Sequence, residues 1–300
     1  MTYLITGGAG FIGSHLVEAL QGKGTVRVLD NLRTGFHNNL DGFEVEFYEG
    51  SVLDRELLAT VMNGVDYVFH LAAMVSVPES VARPRECEEL NGFGLLNVLE
   101  AATAAGVKKV FFASSAAVYG DNPTVPKVET MIPEPKSPYA FTKLLGEHYC
   151  RFFHDEGRVR TACLRFFNVF GPRQDPKGPY AAAVAIFIAR ALRGDPLVIH
   201  GDGEQTRDFI YVKDIVAAIL HVTLTPEITG VFNAGYGGAV TLNELAGFIV
   251  KEAGSATKIE HGPVRAGDVK HSRAAVDLLK STGFKPTGSL EQGLRAMIRG

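Results

Sequence analysis

Cysteine is scarce in this chain. The three residues, Cys87, Cys150 and Cys163, follow no metal-ligand spacing and are too few for a disulfide framework. They are expected to be thiols in a reducing cytoplasm. No apolar run approaches the roughly 20 residues that a membrane helix requires. Internal repeats and low-complexity tracts are lacking. The first expected strand begins at Thr2, which leaves no room for a signal peptide. Positive charge is not in excess either. The formal net charge is −3, which gives no footprint for nucleic acid, and no His/Asp/Glu cluster has metal spacing. His200 and His271 carry little signal beyond an ordinary polar role.

The 300 residues suffice for one large α/β unit or two packed lobes. Short apolar runs recur at Tyr3–Ile5, Val26–Leu29, Val45–Tyr48, Tyr67–Phe69, Val110–Phe112 and Thr161–Leu164. Several are apolar on both faces, as expected of parallel strands covered by helices on each side. Helices are expected between them at Phe11–Gln21, Asp54–Met62, Ser80–Ala105 and Pro138–Glu156. This order predicts a doubly wound parallel sheet in an α/β fold. After about Phe167 prolines and glycines break the alternation. Helices return at Ala181–Leu192, Val212–Val222 and Leu242–Ala253. The last opens with Thr241-Leu242-Asn243-Glu244, a capping-box pattern. The expected organisation is a first domain over 1–167, with part of 200–225 packing back onto it. A smaller, partly interwoven lobe follows over 168–300.

Two motifs carry chemistry. Gly7, Gly10 and Gly13 in TGGAGFIG follow an expected strand and open an expected helix. In that context they fit a dinucleotide fingerprint. The glycines let the backbone turn tightly and approach a pyrophosphate at the helix N-terminus, where amides and dipole favour an anion. Asp30 ends the second strand, placed to accept hydrogen bonds from the adenosine ribose and to repel a 2′-phosphate. This favours NAD over NADP, although Arg33 follows closely and offsets part of the repulsion.

The second motif is Tyr139-Ala-Phe-Thr-Lys143. Ser137-Pro138 is a helix start, and Lys143 at i+4 shares a helix face with Tyr139. A free tyrosine, with a pKa of about 10, is a poor base at neutral pH. A nearby ammonium and a positive nicotinamide favour the phenolate. Ser115 sits at the end of the fifth strand, where such sheets face their ligand. Its hydroxyl is placed to bond the reacting oxygen.

Together these motifs resemble the extended short-chain dehydrogenases/reductases, specifically the NAD-dependent epimerase/dehydratase family, whose nucleotide-binding domain is a Rossmann fold. The resemblance covers nearly the whole chain. It includes Asp30-Asn31-Leu32, His70-Leu71-Ala72-Ala73, Asn91, Ser114-Ser115-Ala116-Ala117-Val118-Tyr119-Gly120, Leu164-Arg165-Phe166-Phe167-Asn168, and Gly201-Asp202-Gly203 with Arg207-Asp208-Phe209. It implies an NAD site of Gly7, Gly10, Phe11, Ile12, Gly13, Asp30, Asn31, Leu32, Thr34, Gly35, Ser51, Val52, Leu71, Ala72, Ala73, Asn91, Tyr139, Lys143 and Phe167. The implied catalytic set is Ser115, Tyr139 and Lys143. A nucleotide-sugar substrate is expected to meet Ser76, Ser115, Tyr139, Asn168, Arg207, Arg265, Asp268 and Ser272, the arginines binding the diphosphate bidentately.

Within such a family, dehydratases carry an Asp-Glu pair before the Val-Tyr-Gly element, and related decarboxylases keep a glutamate there. This chain has Ala116-Ala117, which implies 4-epimerisation without elimination. Tyr139 would take the O4 proton, with the redox half left to the cofactor. Ser272 is small where a bulky tyrosine would crowd an N-acetyl group. Gly171–Pro176 and Ser76-Val77 also look like the branch acting on N-acetylated sugars. The expected substrates are UDP-Glc/UDP-Gal together with UDP-GlcNAc/UDP-GalNAc. Two positions depart from the pattern: Ser51 replaces the usual adenine-binding aspartate, and Val75 stands where a lysine is frequent. The resemblance further implies a homodimer, packed through Gly92–Ala105 and Pro138–Phe153 as a four-helix bundle. The alternatives are another nucleotide-sugar dehydratase or reductase of this family, or a non-catalytic NAD(H)-binding protein.

Overall fold

Runs such as Leu4-Ile5 and Val110-Phe111-Phe112 have no polar face to turn to solvent, so they are stable only inside a sheet covered on both sides. A computed structural model, which describes residues 1–176, 183–264 and 269–299, shows that sheet. Its strands are β1 (Thr2–Thr6), β2 (Thr25–Asp30), β3 (Glu46–Glu49), β4 (Tyr67–His70), β5 (Lys109–Ser115) and β6 (Arg160–Phe166), with a seventh at Gly230–Ala234. From edge to edge the order is Gly230–Ala234, β6, β5, β4, β1, β2, β3. The pairings of β1 with β2 and β4, of β2 with β3, and of β4 with β5 are parallel. The strand order reverses at β1, and in such sheets ligands bind outside the carboxyl ends at that reversal. The fold is the doubly wound α/β sheet that the apolar runs predict.

The helices among these strands are α1 (Phe11–Leu20), α2 (Arg55–Met62), α3 (Val77–Ala82), α4 (Pro84–Glu88), α5 (Gly94–Ala104) and α6 (Pro138–Asp155). Leu58, Val61 and Met62 of α2 and Leu95, Val98 and Leu99 of α5 bury against Leu4, Leu29, Val68 and Val110 of the sheet. Truncating one of these leucines to alanine would cost about 2–5 kcal/mol.

One expected helix is not continuous. Ser80–Ala105 breaks into α3, α4, a π-helical turn at Glu89–Phe93 and α5. Pro84 causes the first break, because proline disfavours the helical conformation in the residue before it; Arg83 is accordingly at φ −133°, ψ 62°. The π turn places Asn91 inside the protein, and such turns concentrate at functional sites.

Two compact units divide the chain. The first comprises Met1–Gly120, Pro133–Arg165 and Val216–Phe232, and the second comprises Asp121–Ile132, Phe166–Ile215 and Asn233–Gly300. Within the first, Lys109 is buried and donates to the carbonyls of Val222 (2.7 Å), Thr225 (2.7 Å) and Ile228 (2.6 Å). Its ammonium thus ties together the carbonyls at and just past the C-terminal end of helix α8 (Val212–Leu224).

Among the described residues, the second unit holds three two-stranded pairs. β7 (Asn168–Phe170) pairs with β10 (Phe209–Tyr211), β8 (Leu197–His200) with β13 (Ile259–Gly262), and β9 (Thr206–Arg207) with β12 (Val240–Thr241). Helices α7 (Ala183–Arg193), α9 (Leu242–Glu252) and Leu290–Arg299 enclose a core of Phe170, Phe187, Ile188, Leu197, Ile199, Leu245, Ile249 and Leu294. The capping box opening α9 is formed. The Thr241 hydroxyl accepts from Glu244 N at 3.1 Å, and the Glu244 carboxylate accepts from Thr241 N at 2.9 Å.

Segment 121–132 lies inside the sequence range expected for the first domain but belongs to the second unit. Lys127 N donates to Arg273 O (2.8 Å) and Ala275 N to Lys127 O (2.8 Å). The Asn233 amide also donates to Lys127 O at 2.9 Å. No helix among the described residues is long and apolar enough to cross a membrane.

Candidate active site and cofactor cradle

The glycine turn joins β1 to α1. Gly7 is at φ +75°, and a Cβ there would meet Ala72 N at 2.7 Å. A Cβ on Gly13 would lie 2.7 Å from Gly8 Cα. Only glycine allows both the turn and the close passage of the β4 loop. Gly10 is the N-cap of α1 and offers no side-chain acceptor, and no acidic residue lies in the first turn. The N–H groups of Phe11, Ile12 and Gly13 are therefore not capped by a side chain, and the positive helix end is left for an anion.

Asp30 is buried at the end of β2. Its carboxylate accepts from Ala9 N at 2.9 Å and Leu32 N at 2.9 Å. Burial pushes its pKa up, against those two N–H groups, which pull it down. Leu32 takes φ +56°, so the chain turns sharply after the acid. Asn31 Oδ1 accepts from Arg33 N at 3.2 Å. Gly35 leaves little room: a Cβ would meet the Ala9 carbonyl carbon at 2.9 Å. Arg33 itself is ion-paired with Glu79 (2.8 Å) and Glu86 (2.6 Å). It is thus not the free cation that would welcome a 2′-phosphate. Val52 is buried against Gly94, while the Ser51 hydroxyl accepts from Leu53 N at 3.2 Å.

The Leu71-Ala72-Ala73 segment is held from β1. Leu71 N donates to Thr6 O (3.0 Å) and Ala72 N to the Thr6 hydroxyl (3.4 Å). His70 Nδ1 lies 2.8 Å from that hydroxyl and the ring stacks on Phe112, 6.0 Å between centroids. Burial, with the nearby Lys143 ammonium, lowers the His70 pKa to about 3. Asn91 accepts from Met74 N (2.7 Å) and donates to Met74 O (3.0 Å) and Thr142 Oγ1 (3.0 Å). It holds this loop against α6. These residues fit a dinucleotide: a glycine cradle, an open helix end and a carboxylate at the second strand.

The catalytic candidates lie together in the first unit. Ser115 ends β5 beside Tyr139, near enough for its hydroxyl to draw the phenol pKa down; that hydroxyl accepts from Ala117 N at 3.2 Å. Ser137 caps α6 by accepting from Ala140 N at 3.2 Å. That cap sets Tyr139 in the first turn. Lys143 is buried, and its ammonium donates to Ala113 O at 2.8 Å, 5.0 Å from the Phe112 ring and 5.6 Å from the Tyr139 ring. From the sequence, the lysine is expected to pull the phenol pKa down. In this structure burial dominates and pushes it up, and the opposing pull comes from the Ser115 hydroxyl. Burial also brings Lys143 down to about 8.

Behind these residues runs a buried network that the sequence reading missed. Glu147 of α6 receives both nitrogens of an Arg165 fork, at 2.9 and 2.7 Å, and Arg165 donates to the Tyr119 hydroxyl at 2.8 Å. Ser114 donates to the same glutamate. An arginine in the apolar strand ACLRF was the available signal, since a buried charge must be paired. A second missed residue is Ser80, whose hydroxyl accepts from Tyr139 N at 3.2 Å. Ser76 caps α3, accepting from Glu79 N at 3.1 Å.

In the second unit Asn168, Arg207 and Ser272 are brought together. Asn168 donates through its amide to Asp208 O at 3.0 Å. Arg207 donates to Thr206 O at 2.9 Å, and Ser272 N donates to that same carbonyl at 3.1 Å. Asp208, also missed, is wholly buried. It accepts from Tyr236 N (2.8 Å), Gly237 N (3.0 Å) and Ala274 N (2.9 Å). Phe167 is buried in this unit, with its N–H on Ala234 O at 3.1 Å. Arg265 and Asp268 lie outside the described residues.

Residues 3–235 match the model of the NAD dependent epimerase/dehydratase family. A UDP-glucose 4-epimerase from Thermotoga maritima, solved with UDP-glucose, is 42% identical with a TM-score of 0.94, covering 100% of this chain and 98% of that one. A UDP-N-acetylglucosamine 4-epimerase from Methanobrevibacter ruminantium, solved with UDP-N-acetylmuramic acid, is 40% identical with a TM-score of 0.96, covering 99% and 97%. A UDP-N-acetyl-alpha-D-glucosaminuronate decarboxylase from Bacillus cytotoxicus is 36% identical over 99% of this chain and 96% of its own.

Proposed function

Because the chain belongs to the NAD-dependent epimerase/dehydratase family, we propose that it is a UDP-hexose 4-epimerase. Its substrates would be UDP-Glc and UDP-Gal, and also UDP-GlcNAc and UDP-GalNAc. The observation that carries this reading is the grouping of Ser115, Tyr139 and Lys143, followed by a turn, Ala116–Tyr119, whose first two positions are alanine. Proton transfer is provided for. A carboxylate for elimination or decarboxylation is missing from the two positions where those branches carry one.

The glycine cradle and Asp30 would hold NAD, which would supply the hydride acceptor and donor for the sugar C4. The protein's share is acid–base and positional. Tyr139 takes the proton of the sugar O4 hydroxyl as C4 is oxidised. Ser115 bonds the same oxygen and steadies the phenolate that the buried site disfavours. Lys143, with a pKa of about 8, is mostly ammonium at neutral pH, a positive charge 5.6 Å from the Tyr139 ring. The transient 4-keto carbon is flat, so its two faces can both be reduced. Tyr139 then hands its proton back to O4. Asn168, Arg207 and Arg265 would bind the diphosphate, Asp268 would bond a ribose or orient Arg265, and Ser272 would leave space for an N-acetyl group.

The dimer belongs to the same reading. Phe93 precedes α5, Phe141 and Phe152 lie on α6, and all three are exposed. Light scattering would report twice the chain mass.

The test is to incubate the purified protein, without added NAD, with UDP-Glc and UDP-GlcNAc separately, and follow the anomeric protons by NMR. Appearance of the 4-epimer is expected in both tubes. Carbon dioxide release from a UDP-uronic acid, or a stable dehydrated product, would replace this reading with the decarboxylase or dehydratase one. Bound NAD with no turnover of any UDP-sugar would favour a binding protein.

A further inference from the structure

Arg33 follows the carboxyl end of β2, while Glu79 and Glu86 follow the carboxyl end of β4. In the sheet, β2 and β4 are the two neighbours of β1, whose own carboxyl end feeds the glycine turn. The strand order reverses here, so the dinucleotide crevice opens between these flanks. Arg33 reaches across with both nitrogens, Nη2 to Glu79 at 2.8 Å and Nη1 to Glu86 at 2.6 Å. Arg83 pairs with the same two carboxylates, 3.1 Å from Glu86 and also in contact with Glu79.

We propose that Arg33, Glu79 and Glu86 are positioning residues for the cofactor, an ionic strap that ties the two flanks of the crevice and sets how long NAD stays bound. Both anchor points are built. On the β2 side, Phe36 N (3.0 Å) and the Asn39 amide (2.8 Å) donate to Ala9 O in the glycine turn. On the β4 side, the Ser76 cap fixes Glu79, and the next residue, Ser80, accepts from Tyr139 N. With both ends fixed, the ion pairs join two anchored segments. The carboxylates also serve chemically. They neutralise Arg33, which would otherwise stand as a free cation three residues after Asp30.

The half-exposed location makes the strap sensitive to salt. Ion pairs open to solvent are individually weak, but two on one guanidinium act together. Their loss is expected to raise the NAD release rate about tenfold. Screening has the same effect, because at about 1 M salt the Debye length is about 3 Å.

The experiment uses the protein with the NAD it carries after purification. Release is followed at low and high salt, with an alcohol dehydrogenase trap reporting freed NAD by absorbance. Arg33→Met should release NAD about tenfold faster than wild type at low salt and lose its dependence on salt. The paired exchange Arg33→Glu with Glu79→Arg should restore slow, salt-dependent release. Equal release from wild type and Arg33→Met at low salt would overturn the strap, as would an identical salt response in both. If Arg33→Met does not fold, salt-independent release from the wild type overturns it instead. The inference rests on NAD being the resident cofactor; wild-type protein that neither carries nor takes up NAD counts against that premise and is read separately from the release rates.

Discussion

The Ser115 hydroxyl lies close enough to the Tyr139 phenol to draw its pKa down against burial, bringing the last residue of a sheet strand up to the first turn of the helix that follows it in the site. Replacing Tyr139 with phenylalanine leaves the ring and removes the proton carrier. Turnover of UDP-Glc should fall by about 10²–10⁴, with bound NAD and thermal stability retained. Ser115→Ala should cost less. A kcat for Tyr139→Phe within a few-fold of wild type would remove this tyrosine from the chemistry.

Ser272 is to be tested by bulk. Ser272→Tyr should suppress turnover of the N-acetylated pair and spare UDP-Glc/UDP-Gal. Competing-substrate assays give the ratio directly, and unchanged relative rates would sink the specificity assignment.

The Glu147–Arg165 fork is 5% exposed on each side chain. Removing one partner strands the other charge. Glu147→Gln or Arg165→Met should therefore destabilise the protein by about 3–5 kcal/mol. The joint replacement Glu147→Leu with Arg165→Met should cost clearly less than the sum of the singles. Denaturant melts of the three variants check this, and strict additivity would show that the pair is not coupled.

His70 predicts an acid-sensitive fold. Its pKa falls from 6.5 to about 3 in the folded chain, so between those values the unfolded chain binds the extra proton. Stability from this group is complete above 6.5 and is lost as pH falls toward 3, at about 1.4 kcal/mol per pH unit. The stability difference between wild type and His70→Gln should shrink between pH 7 and pH 5. A constant difference would show that His70 does not titrate this way.

Gly7→Ala combines a positive φ with a Cβ against Ala72 N. A loss of about 1–3 kcal/mol is expected from backbone strain, with co-purified NAD sharply reduced. Protein that still carries a full complement of NAD would contradict the close passage at this turn.

Much of the sheet is legible in the sequence because its strands are apolar on both faces, a pattern few other elements produce. The glycine turn and Tyr139/Lys143 are legible because each depends on residues close in sequence. What was missed depends on distant partners. The strand at Gly230–Ala234 has only Val231 and Phe232 to mark it and takes its place from β6. The break in Ser80–Ala105 was foreshadowed by Pro84, but the π turn at Asn91 follows from packing. Glu79, Asp208 and Glu147 look like ordinary charged residues until their partners, 46, 66 and 18 positions away, are known.

The way the chain divides has a consequence for its birth. It passes from one unit to the other at 120/121, 132/133, 165/166, 215/216 and 232/233. The first unit cannot be completed on the ribosome until residue 232 has emerged. The arm that leaves after Ser115 and Gly120 meets Asn233 late, and the backbone pairing of its Lys127 with Arg273 and Ala275 forms only once those residues are made. Domains usually fold one after another during synthesis, but this chain must hold its first sheet unfinished, with an open edge on β6, until most of it has been translated. A stop anywhere before about residue 275 should yield an aggregating fragment, rather than a smaller working protein.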